Sequence, residues 1–268
     1  MAQDSLASNK FRIGTVNVHS FRSPFSRKSN AKVLASILAP YNLDVLAVEE
    51  MRNDNNNWTT LHEQLSLNYS VVGLSGGLSF GNAIASRHPI VEHSNQITQE
   101  RYTGGSRAML QCRLGGNHSF VQNRTFAVTH LDHFDEDDRL TQIKEFIPDS
   151  NNINILLGDM NALTQEDYSD KYLHDIIVKK RELNGWEQPR FELMHLLTNV
   201  WGFEDTFRKM NSKLKDTHVV TCSYGTRIDY IFHRPLLNDE WELTECFIVD
   251  TRRSTDHNAI VATFERKL

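Results

Sequence analysis

Short apolar runs of strand length recur along the chain, and most of them end in polar residues. Residues 44–48 and 154–157 read as strands buried on both faces because they are almost continuously apolar, whereas residues 11–18 alternate as a half-buried strand does. The same patterns predict further strands, which span residues 69–73, 81–90, 106–114, 119–130, 227–233, 243–249 and 258–264. The Gly-Gly-Asn sequence at 115–117 is typical of a hairpin turn between two of them.

Helical patterns lie between the predicted strands. They span residues 31–38, 58–67 and 135–146, and Pro40 stops the first of them. Acidic residues 135–138 begin the third helix, where negative charge is favourable. Residues 163–199 are mixed and mostly helical, without the composition of a linker. We therefore predict a flexible N-terminal tail at residues 1–10 and a single α/β domain at residues 11–268.

The composition is that of an ordinary soluble protein, with 39% hydrophobic and 24% charged residues in a chain of 268. No apolar run approaches the roughly 20 residues that a membrane span requires. The N-terminus lacks the basic and apolar regions of a secretion signal. The chain has 3 cysteines, none of them closely spaced, which argues against a disulfide framework or a structural zinc site. We expect a cytoplasmic monomer without a membrane span.

Polar residues with catalytic chemistry stand at the ends of the predicted strands, and two of them directly precede the last strand. Because strand ends converge at one edge of a sheet, we expect the whole set to meet there: Asn17, Glu50, His130, Asp159, Asn161, Asp229, Asp256 and His257. Each residue alone has an ordinary explanation. Asp159 and Asn161, for example, are of types common in plain turns. The combination of all eight residues favours a single functional site.

The residue types of this set suit the hydrolysis of a phosphate ester. Glu50, Asp256 and Asn17 offer hard oxygen ligands, which suit Mg²⁺ or Mn²⁺. His130 and His257 are able to donate to a phosphoryl oxygen or to shuttle a proton near neutral pH. We assign to Asp229 the orientation of an imidazole and to Asp159 the positioning or deprotonation of water. Asn161 is assigned as a donor to the phosphoryl group. The chain contains neither a phosphate loop of the Gly-x-x-x-x-Gly-Lys type nor a Gly-x-Ser-x-Gly elbow.

The order of the motifs resembles the endonuclease/exonuclease/phosphatase superfamily, which has the DNase I-like fold. The matching segments run from about residue 11 to residue 264 and include GTVN (14–17), DVLAVEE (44–50), GNAIASR (81–87), THLDH (129–133), GDMNA (158–162), RIDYIF (227–232) and STDH (254–257). The resemblance implies a four-layer αββα sandwich, in which helices flank two mostly antiparallel sheets and the active site lies at one edge of the sheets.

The resemblance also implies roles for the site residues, position by position. It implies metal contacts for Asn17, Glu50 and Asp256, with Mg²⁺ or Mn²⁺ as the cation. For His130 it implies a contact to the scissile phosphate, and for Asp159 the orienting or deprotonation of the attacking water, with Asn161 beside it. It also implies that Asp229 pairs with His257.

Two positions depart from the family pattern. Many members have Gln before the metal-binding glutamate, where this chain has Glu49. This extra acid either alters the number of bound metals or only points into the sheet. Some members have Asp two residues after the first asparagine, where this chain has His19, so the pattern gives no support for a second metal there.

The substrate stays open between a small phosphorylated compound and a nucleic acid. A non-catalytic member that binds a phosphorylated ligand is the alternative from another class. The net charge of −5 disfavours a protein that coats a long polyanion, but it is compatible with a locally basic cleft. Candidate phosphate contacts, all of them types that are usually solvated, are Arg22, Arg27, Lys28, His88 and Arg107. Candidate stacking residues, for which core packing is the commoner role, are Trp58, Trp186 and Trp201. Residues 163–199 are the candidate substrate-defining segment.

Overall fold

Strands and helices alternate along the chain in a computed structural model, which describes residues 9–76, 79–99, 102 and 104–268. The strands are β1 (Lys10–Asn17), β2 (Val45–Arg52), β3 (Tyr69–Leu74), β4 (Phe80–Ser86), β5 (Ile90–Ile97), β6 (Ala108–Leu114), β7 (Thr125–His130), β8 (Ile153–Asp159), β9 (Glu204–Asp205), β10 (Asp229–His233), β11 (Trp241–Val249) and β12 (Ala259–Arg266). Most of the predicted tail lies outside the described residues, and β1 already begins at Lys10.

The α-helices lie in the connections β1–β2, β2–β3 and β7–β8 and in the segment between β8 and β10. They are α1 (Ala31–Leu38), α2 (Asn57–Gln64), α3 (Glu136–Phe146), α4 (Asp170–Tyr172), α5 (Lys179–Asn184), α6 (Glu192–His195) and α7 (Thr206–Met210). Two π-helical stretches, Leu173–Val178 and Leu196–Val200, make the predicted mostly helical segment irregular. Across the described ranges, no helix has both the length and the apolar content needed to cross a membrane.

The described strands form two six-stranded sheets, in the orders β11-β12-β1-β2-β4-β3 and β5-β6-β7-β8-β10-β9. Neighbouring strands are antiparallel except for β1 with β2 and β7 with β8, which are parallel. A parallel pair needs a crossover, and α1 and α3 lie in the two connections. The predicted pair of mostly antiparallel sheets is confirmed.

Three apolar cores hold the four layers together. The core between the sheets includes Ile13 and Ala47 of the first sheet and Leu157 of the second. A second core packs the first sheet against α1 and α2, and a third packs the second sheet against α3 and α6. In β2, Val45 and Ala47 face the inter-sheet core, whereas the alternate residues face the helices. This two-sided burial explains why the strand is continuously apolar.

Two local predictions were wrong. The apolar pattern at 81–90 predicts one strand, but β4 ends at Ser86 and a separate strand, β5, begins at Ile90 in the other sheet. β5 is an edge strand with exposed side chains, so it has no apolar pattern to find. The predicted tight hairpin after Leu114 is a ten-residue connection, which contains the short helix Ser119–Val121 and buries Phe120 in the inter-sheet core.

Arg227 fastens the start of β10 to two neighbouring segments. Its guanidinium is completely buried and donates to Asp167 Oδ2 at 2.7 Å and to Asp205 Oδ2 at 2.6 Å. It also lies 4.3 Å from the centre of the Tyr230 ring. Planar, two-sided pairing of this kind is specific to arginine, because lysine has no second edge to present.

We expect Arg227→Met to lower the free energy of unfolding by about 3–5 kcal/mol, because it leaves two buried carboxylates without their cation. The matched control is Arg266→Met, since Arg266 makes an exposed pair with Glu240 at 2.7 Å that is worth at most about 1 kcal/mol. Urea unfolding monitored by circular dichroism measures both. Equal losses in the two variants would contradict this account of the buried network.

His88 lies far from the strand ends that carry the predicted site, beside Phe11 at the opposite end of β1. Its ring is stacked on Phe11 at 5.5 Å, and its Nε2 is buried without a hydrogen-bond partner. Burial lowers the pKa of His88 from 6.5 to about 4, and the neighbouring His118 and Arg87 add to this. His88 is therefore a packing residue and is not placed to contact a phosphate in the site.

The lowered pKa of His88 implies that part of the stability present above pH 6.5 is lost as the pH falls towards 4, because only the unfolded chain takes up the proton readily. We expect His88→Phe to show a smaller drop in Tm between pH 7.5 and pH 5 than the wild type. His93→Phe, an exposed change on β5, serves as the control and should keep the wild-type drop. Differential scanning fluorimetry over this pH range measures the drop in Tm of the wild type and of both variants.

Candidate active site

Six segments of the chain meet at one edge of the sandwich. The parallel register pairs Asn17 of β1 with Glu49 of β2 and His130 of β7 with Asp159 of β8. The antiparallel register then places Asp229, at the start of β10, opposite Asp159. The segment that precedes β12 supplies Asp256 and His257. Backbone pairing thus brings together polar side chains that are far apart in the sequence.

A β-bulge in β2 directs the second of its two acids towards the site. The register against β4 runs from Val48 to Met51 while β4 advances by only two residues, so β2 holds one extra residue here. Glu50 has a φ of 54°, an unusual value for a residue with a side chain, and it is partly exposed. Glu49 continues the inward alternation and is completely buried. The structure therefore separates the two acids into an interior and a surface residue.

Gly158 allows the chain to turn at the end of β8. Its φ is 132°, and a Cβ atom there would lie 1.9 Å from the carbonyl oxygen of Thr129. No other residue fits this close approach. Asp159 then uses its two oxygens differently: Oδ1 accepts the backbone N–H of Asn161 at 3.0 Å, which is an ordinary turn contact, and Oδ2 faces the site. The turn role and the site role coexist in one carboxylate.

The Oδ2 atom of Asp159 is the centre of the cluster. It accepts from Asn17 Nδ2 at 3.1 Å and lies 3.7 Å from His130 Nε2 and 3.8 Å from His257 Nε2. The contact with Asn17 joins the first sheet to the second. Burial raises the pKa of Asp159, and the negative charge of Asp229 raises it further. Such a carboxylate holds a proton more readily than a surface aspartate does.

His257 and Asp229 form a close buried pair. The Nδ1 of His257 lies 2.9 Å from Asp229 Oδ2 and 3.1 Å from Oδ1. Burial alone would lower the pKa of His257, but the charge of Asp229 and its hydrogen bond raise it well above the usual value. Thr221 Oγ1 accepts the backbone N–H of Asp229 at 3.2 Å and fixes the strand start. The pair therefore favours the cationic imidazole, whose Nε2 lies towards Asp159.

His130 is held in the opposite charge state. Burial lowers its pKa well below the usual value, and the Arg107 cation adds to this effect. Its Nε2 lies 3.1 Å from Asn161 Nδ2, which also donates to the carbonyl of Leu131 at 3.0 Å. Both N–H groups of this carboxamide thus face protein atoms in this structure. A direct donation from Asn161 to a phosphoryl group requires one of these contacts to be exchanged.

The two outer acids lie on either side of His19. Its Nδ1 is 3.2 Å from Asp256 Oδ1 and 4.0 Å from Glu50 Oε2. The backbone of Ser223 donates to the carbonyl of Asp256 at 2.9 Å, which anchors this segment to the loop that precedes β10. Asp256 is therefore brought to the site, but next to His19 rather than next to Glu50.

The donor set fits a hard divalent cation at Glu50. This carboxylate is partly exposed and accepts from Asn17 Nδ2 at 3.0 Å, and carboxylate oxygens are the ligands that such a cation prefers. In the present orientation Asn17 offers its nitrogen to Glu50, while its Oδ1 accepts from the backbone of His19 at 3.0 Å. Ligation by Asn17 would therefore use the other side of its amide. Within the described ranges, the one group of three acid or histidine residues whose ligand atoms lie within 4.8 Å of one another is Asp159, Asp229 and His257.

Several supporting residues have no distinctive signal in the sequence. Thr15 Oγ1 donates to Glu49 Oε1 at 2.6 Å, and the other oxygen of Glu49 is buried without a partner. Burial raises the pKa of Glu49 well above the usual value. Thr255 Oγ1 donates to the carbonyl of Asn17 at 2.8 Å. Threonine is too common for such roles to be recognised from the sequence. His19 stands two residues after Asn17, and this spacing was its only signal.

The structure places the candidate phosphate contact Arg107 and the three candidate tryptophans in different environments. Arg107 is buried near the cluster, with its Nη2 3.2 Å from His133 Nδ1 and 3.9 Å from Asp132 Oδ2. Trp58 is a core residue beside α1, and Trp201 packs partly buried against the core beneath α3. Trp186, in contrast, is 39% exposed.

The comparisons with known proteins agree with this geometry. The sequence matches the model of the Endonuclease/Exonuclease/phosphatase family over residues 14–257. No curated protein sequence matches the chain. Among solved structures, an endonuclease/exonuclease/phosphatase from Beutenbergia cavernae has a TM-score of 0.68 at 18% identity and covers 96% of this chain and 72% of its own.

Two further structures with similar folds have named activities or ligands. The D. rerio TDP2 structure, complexed with a single-strand DNA product, has a TM-score of 0.66 at 17% identity over 96% of this chain and 100% of its own. The mannosyl-6-phosphatase Bt3783 of Bacteroides thetaiotaomicron has a TM-score of 0.66 at 15% identity over 95% of this chain and 99% of its own. At these identities the likeness shows the fold alone. The family match spans nearly the whole chain, and the chain belongs to the endonuclease/exonuclease/phosphatase family, with the DNase I-like fold.

Proposed function

We propose that the protein is a hydrolase that cleaves a phosphate ester with the help of a divalent metal ion, Mg²⁺ or Mn²⁺. The observation that carries the proposal is the convergence on Asp159 Oδ2 of one amide and two imidazoles, all with polar atoms within 3.8 Å. Their pKa directions differ, since one imidazole is pushed towards its neutral form and the other towards its cationic form. Oppositely tuned groups in one cluster are typical of acid–base chemistry.

Glu50 and Asn17 would hold the cation, with Asp256 as a further acid nearby. Bound there, the cation would supply charge neutralisation for the phosphoryl oxygens. Glu50 is preorganised for this role because the bulge in β2 fixes its backbone, and Asn17 Nδ2 already contacts it at 3.0 Å. Glu49 is an interior residue, so we assign no ligand role to it.

Asp159 would position the attacking water and accept its proton. Its raised pKa favours this role, because a general base works best when its pKa is near the working pH. His257 would donate a hydrogen bond from Nε2 to the phosphoryl group, while Asp229 keeps its ring oriented through Nδ1 at 2.9 Å. His130, with Asn161 beside it, would contact the scissile phosphate from the second sheet.

A non-catalytic phosphate-binding protein is the alternative. The presence of every predicted metal and proton-transfer residue at one edge supports the enzyme instead, because the buried carboxylates would otherwise lower stability without a compensating role. Relatives of similar fold include a single-strand DNA complex and a sugar phosphatase, and these leave both substrate classes open.

We expect Asp159→Asn to reduce the rate of bis-p-nitrophenyl phosphate hydrolysis by about 10²–10⁴-fold, because the amide cannot accept the proton of water. The Tm should stay within a few degrees, since the amide still fills the buried position. Asp175→Asn is the matched control, as Asp175 is exposed and pairs only with Lys179, and it should retain full activity. Normal turnover by Asp159→Asn would sink the assignment.

Chelation by EDTA should abolish the activity, and added Mg²⁺ or Mn²⁺ should restore it, because the proposed ligands are hard oxygen donors. Glu50→Gln should then require a higher Mg²⁺ concentration for half-maximal activity, by about tenfold or more. Steady-state rates at a series of Mg²⁺ concentrations measure both effects. Activity that is indifferent to EDTA would rule out the metal-assisted reaction.

A further inference from the structure

A cavity of about 410 Å³ opens directly beside the cluster, under the helical segment that follows β8. Asn161 forms part of its wall, so the cavity reaches the residue that contacts His130. Its other walls come from the loop between β7 and α3, from the helical segment that ends with α5 and the turn after it, and from the loop that precedes β10. Its volume lies in the range of sites for small organic ligands.

Aromatic side chains are concentrated at this cavity. In the described part of the chain, five aromatic side chains are largely exposed, and three of them line it: Phe134, Trp186 and Tyr224. They are 39–49% exposed, although aromatic rings usually gain stability from burial. Trp186 and Tyr224 meet edge to face, with ring centres 4.9 Å apart. The arrangement leaves large apolar ring surfaces facing the cavity, which favours a planar, apolar ligand group.

Both aromatic walls are held by polar contacts that lie behind them. The backbone of Trp186 donates to the carbonyl of Arg181 at 2.9 Å, and the next residue, Glu187, accepts from Arg139 Nη2 at 2.6 Å. On the opposite wall, Tyr172 Oη donates to the carbonyl of Gly225 at 3.1 Å, directly after Tyr224. Rigid walls reduce the entropy lost when a ring binds.

The charge of the cavity favours an anion that carries such a ring. Lys180 and Arg181 line it, and Lys180 Nζ lies 5.3 Å from the centre of the Tyr224 ring. Glu187 is the one acid among the lining residues, and its charge is balanced by Arg139 and by Arg190, 3.5 Å away. No unpaired carboxylate is therefore left among these residues to accept sugar hydroxyls. Aromatic rings with nearby cations are the usual combination for binding nucleotides.

We propose that this cavity binds the nucleobase of a nucleoside phosphoester, whose phosphoryl group is placed at Asn161 and His130. The inference rests on the proposed hydrolase function and specifies its substrate class. The base would lie against Trp186 and Tyr224, with the sugar between the cavity and the cluster. The segment 163–199 thereby becomes the element that selects the substrate, through Trp186 and Lys180.

The test compares the binding of AMP with that of ribose 5-phosphate, which lacks the base, by isothermal titration calorimetry with Mg²⁺ present. Chromatography after each titration verifies that the ligands are intact. The wild type should bind AMP at least tenfold more tightly, because stacking on an aromatic ring contributes about this much or more. Equal affinity for the two ligands would overturn the proposal, whether or not the protein hydrolyses bis-p-nitrophenyl phosphate.

Variants identify the cavity as the source of the preference. Trp186→Ala and Tyr224→Ala should each weaken AMP binding about tenfold and leave ribose 5-phosphate binding unchanged, whereas Trp186→Phe should retain most of the affinity. Tyr69→Ala is the matched control, since Tyr69 is 43% exposed but lies on β3, outside the cavity lining. Unchanged AMP binding in both alanine variants would also overturn the proposal.

A third ligand distinguishes the two sources of a nucleoside phosphoester. A single-stranded adenylate tetranucleotide that binds at least tenfold more tightly than AMP, with the same loss in Trp186→Ala, would identify a nucleic-acid strand as the source. Equal affinities would identify a free nucleotide. Hydrolysis of bis-p-nitrophenyl phosphate, measured in parallel, reports separately on the proposed chemistry. A protein that hydrolyses this ester but shows no base preference would contradict the cavity assignment alone.

Discussion

The burial of three carboxylates at one edge of the sandwich is the constraint on which the site depends. Glu49, Asp159 and Asp229 are at most 1% exposed, and each loses its hydration on folding. One imidazole, that of His257, lies against two of them, and the hydroxyl of Thr15 donates to the third. Because this compensation is incomplete, the pKa values of Glu49 and Asp159 are raised. The apolar cores on both faces of each sheet must supply the stability that the cluster removes.

The ladder positions of β7, β8 and β10 keep these groups in place. Asp159 stands between His130 and Asp229 in the register of its sheet, so a slip of one residue would turn it to the other face. Arg227 opposes such a slip at the start of β10, because its ion pairs with Asp167 and Asp205 fix the chain two residues before Asp229. The geometry of the candidate site is thus a property of the backbone ladder more than of individual side-chain contacts.

This dependence on ladders explains how much the sequence revealed. The buried strands were recognisable because both faces require apolar residues, as in 154–157, and the polar residues at their ends supplied the candidate site residues. The same reasoning missed β5, which needs no apolar face at the sheet edge, and the buried connection around Phe120. It also favoured Glu50 over Glu49 only by family resemblance, whereas the structure gives a physical reason, the bulge that turns Glu50 outwards.

Side-chain neighbours that arise from three-dimensional packing left no trace in the sequence pattern. His19 reaches both Asp256 and Glu50 because it begins the short helix His19–Phe21 after β1, with a φ of 49°. Trp186 had the same composition signal as Trp58 and Trp201, yet only the structure separates an exposed ring from two packed ones. Hydrophobicity ranks these three residues alike, so their roles could not be predicted.

The strand ladders are separate from the substrate-defining segment 163–199. This separation suggests how one fold combines a fixed reaction with a variable substrate. The groups proposed to act on the phosphoryl group stand on strand ends, where the register fixes them within the sheets. The groups proposed to contact the rest of the substrate stand on α5, on the turn after it and on the loop before β10, outside both ladders. A backbone hydrogen bond joins these two regions, in which the N–H of Ser223 donates to the carbonyl of Asp256. A change in the side chain of Trp186 or Tyr224 can therefore alter the ligand without moving the ladder. A change in the backbone of the loop at Ser223, in contrast, also bears on Asp256 and, through it, on His257.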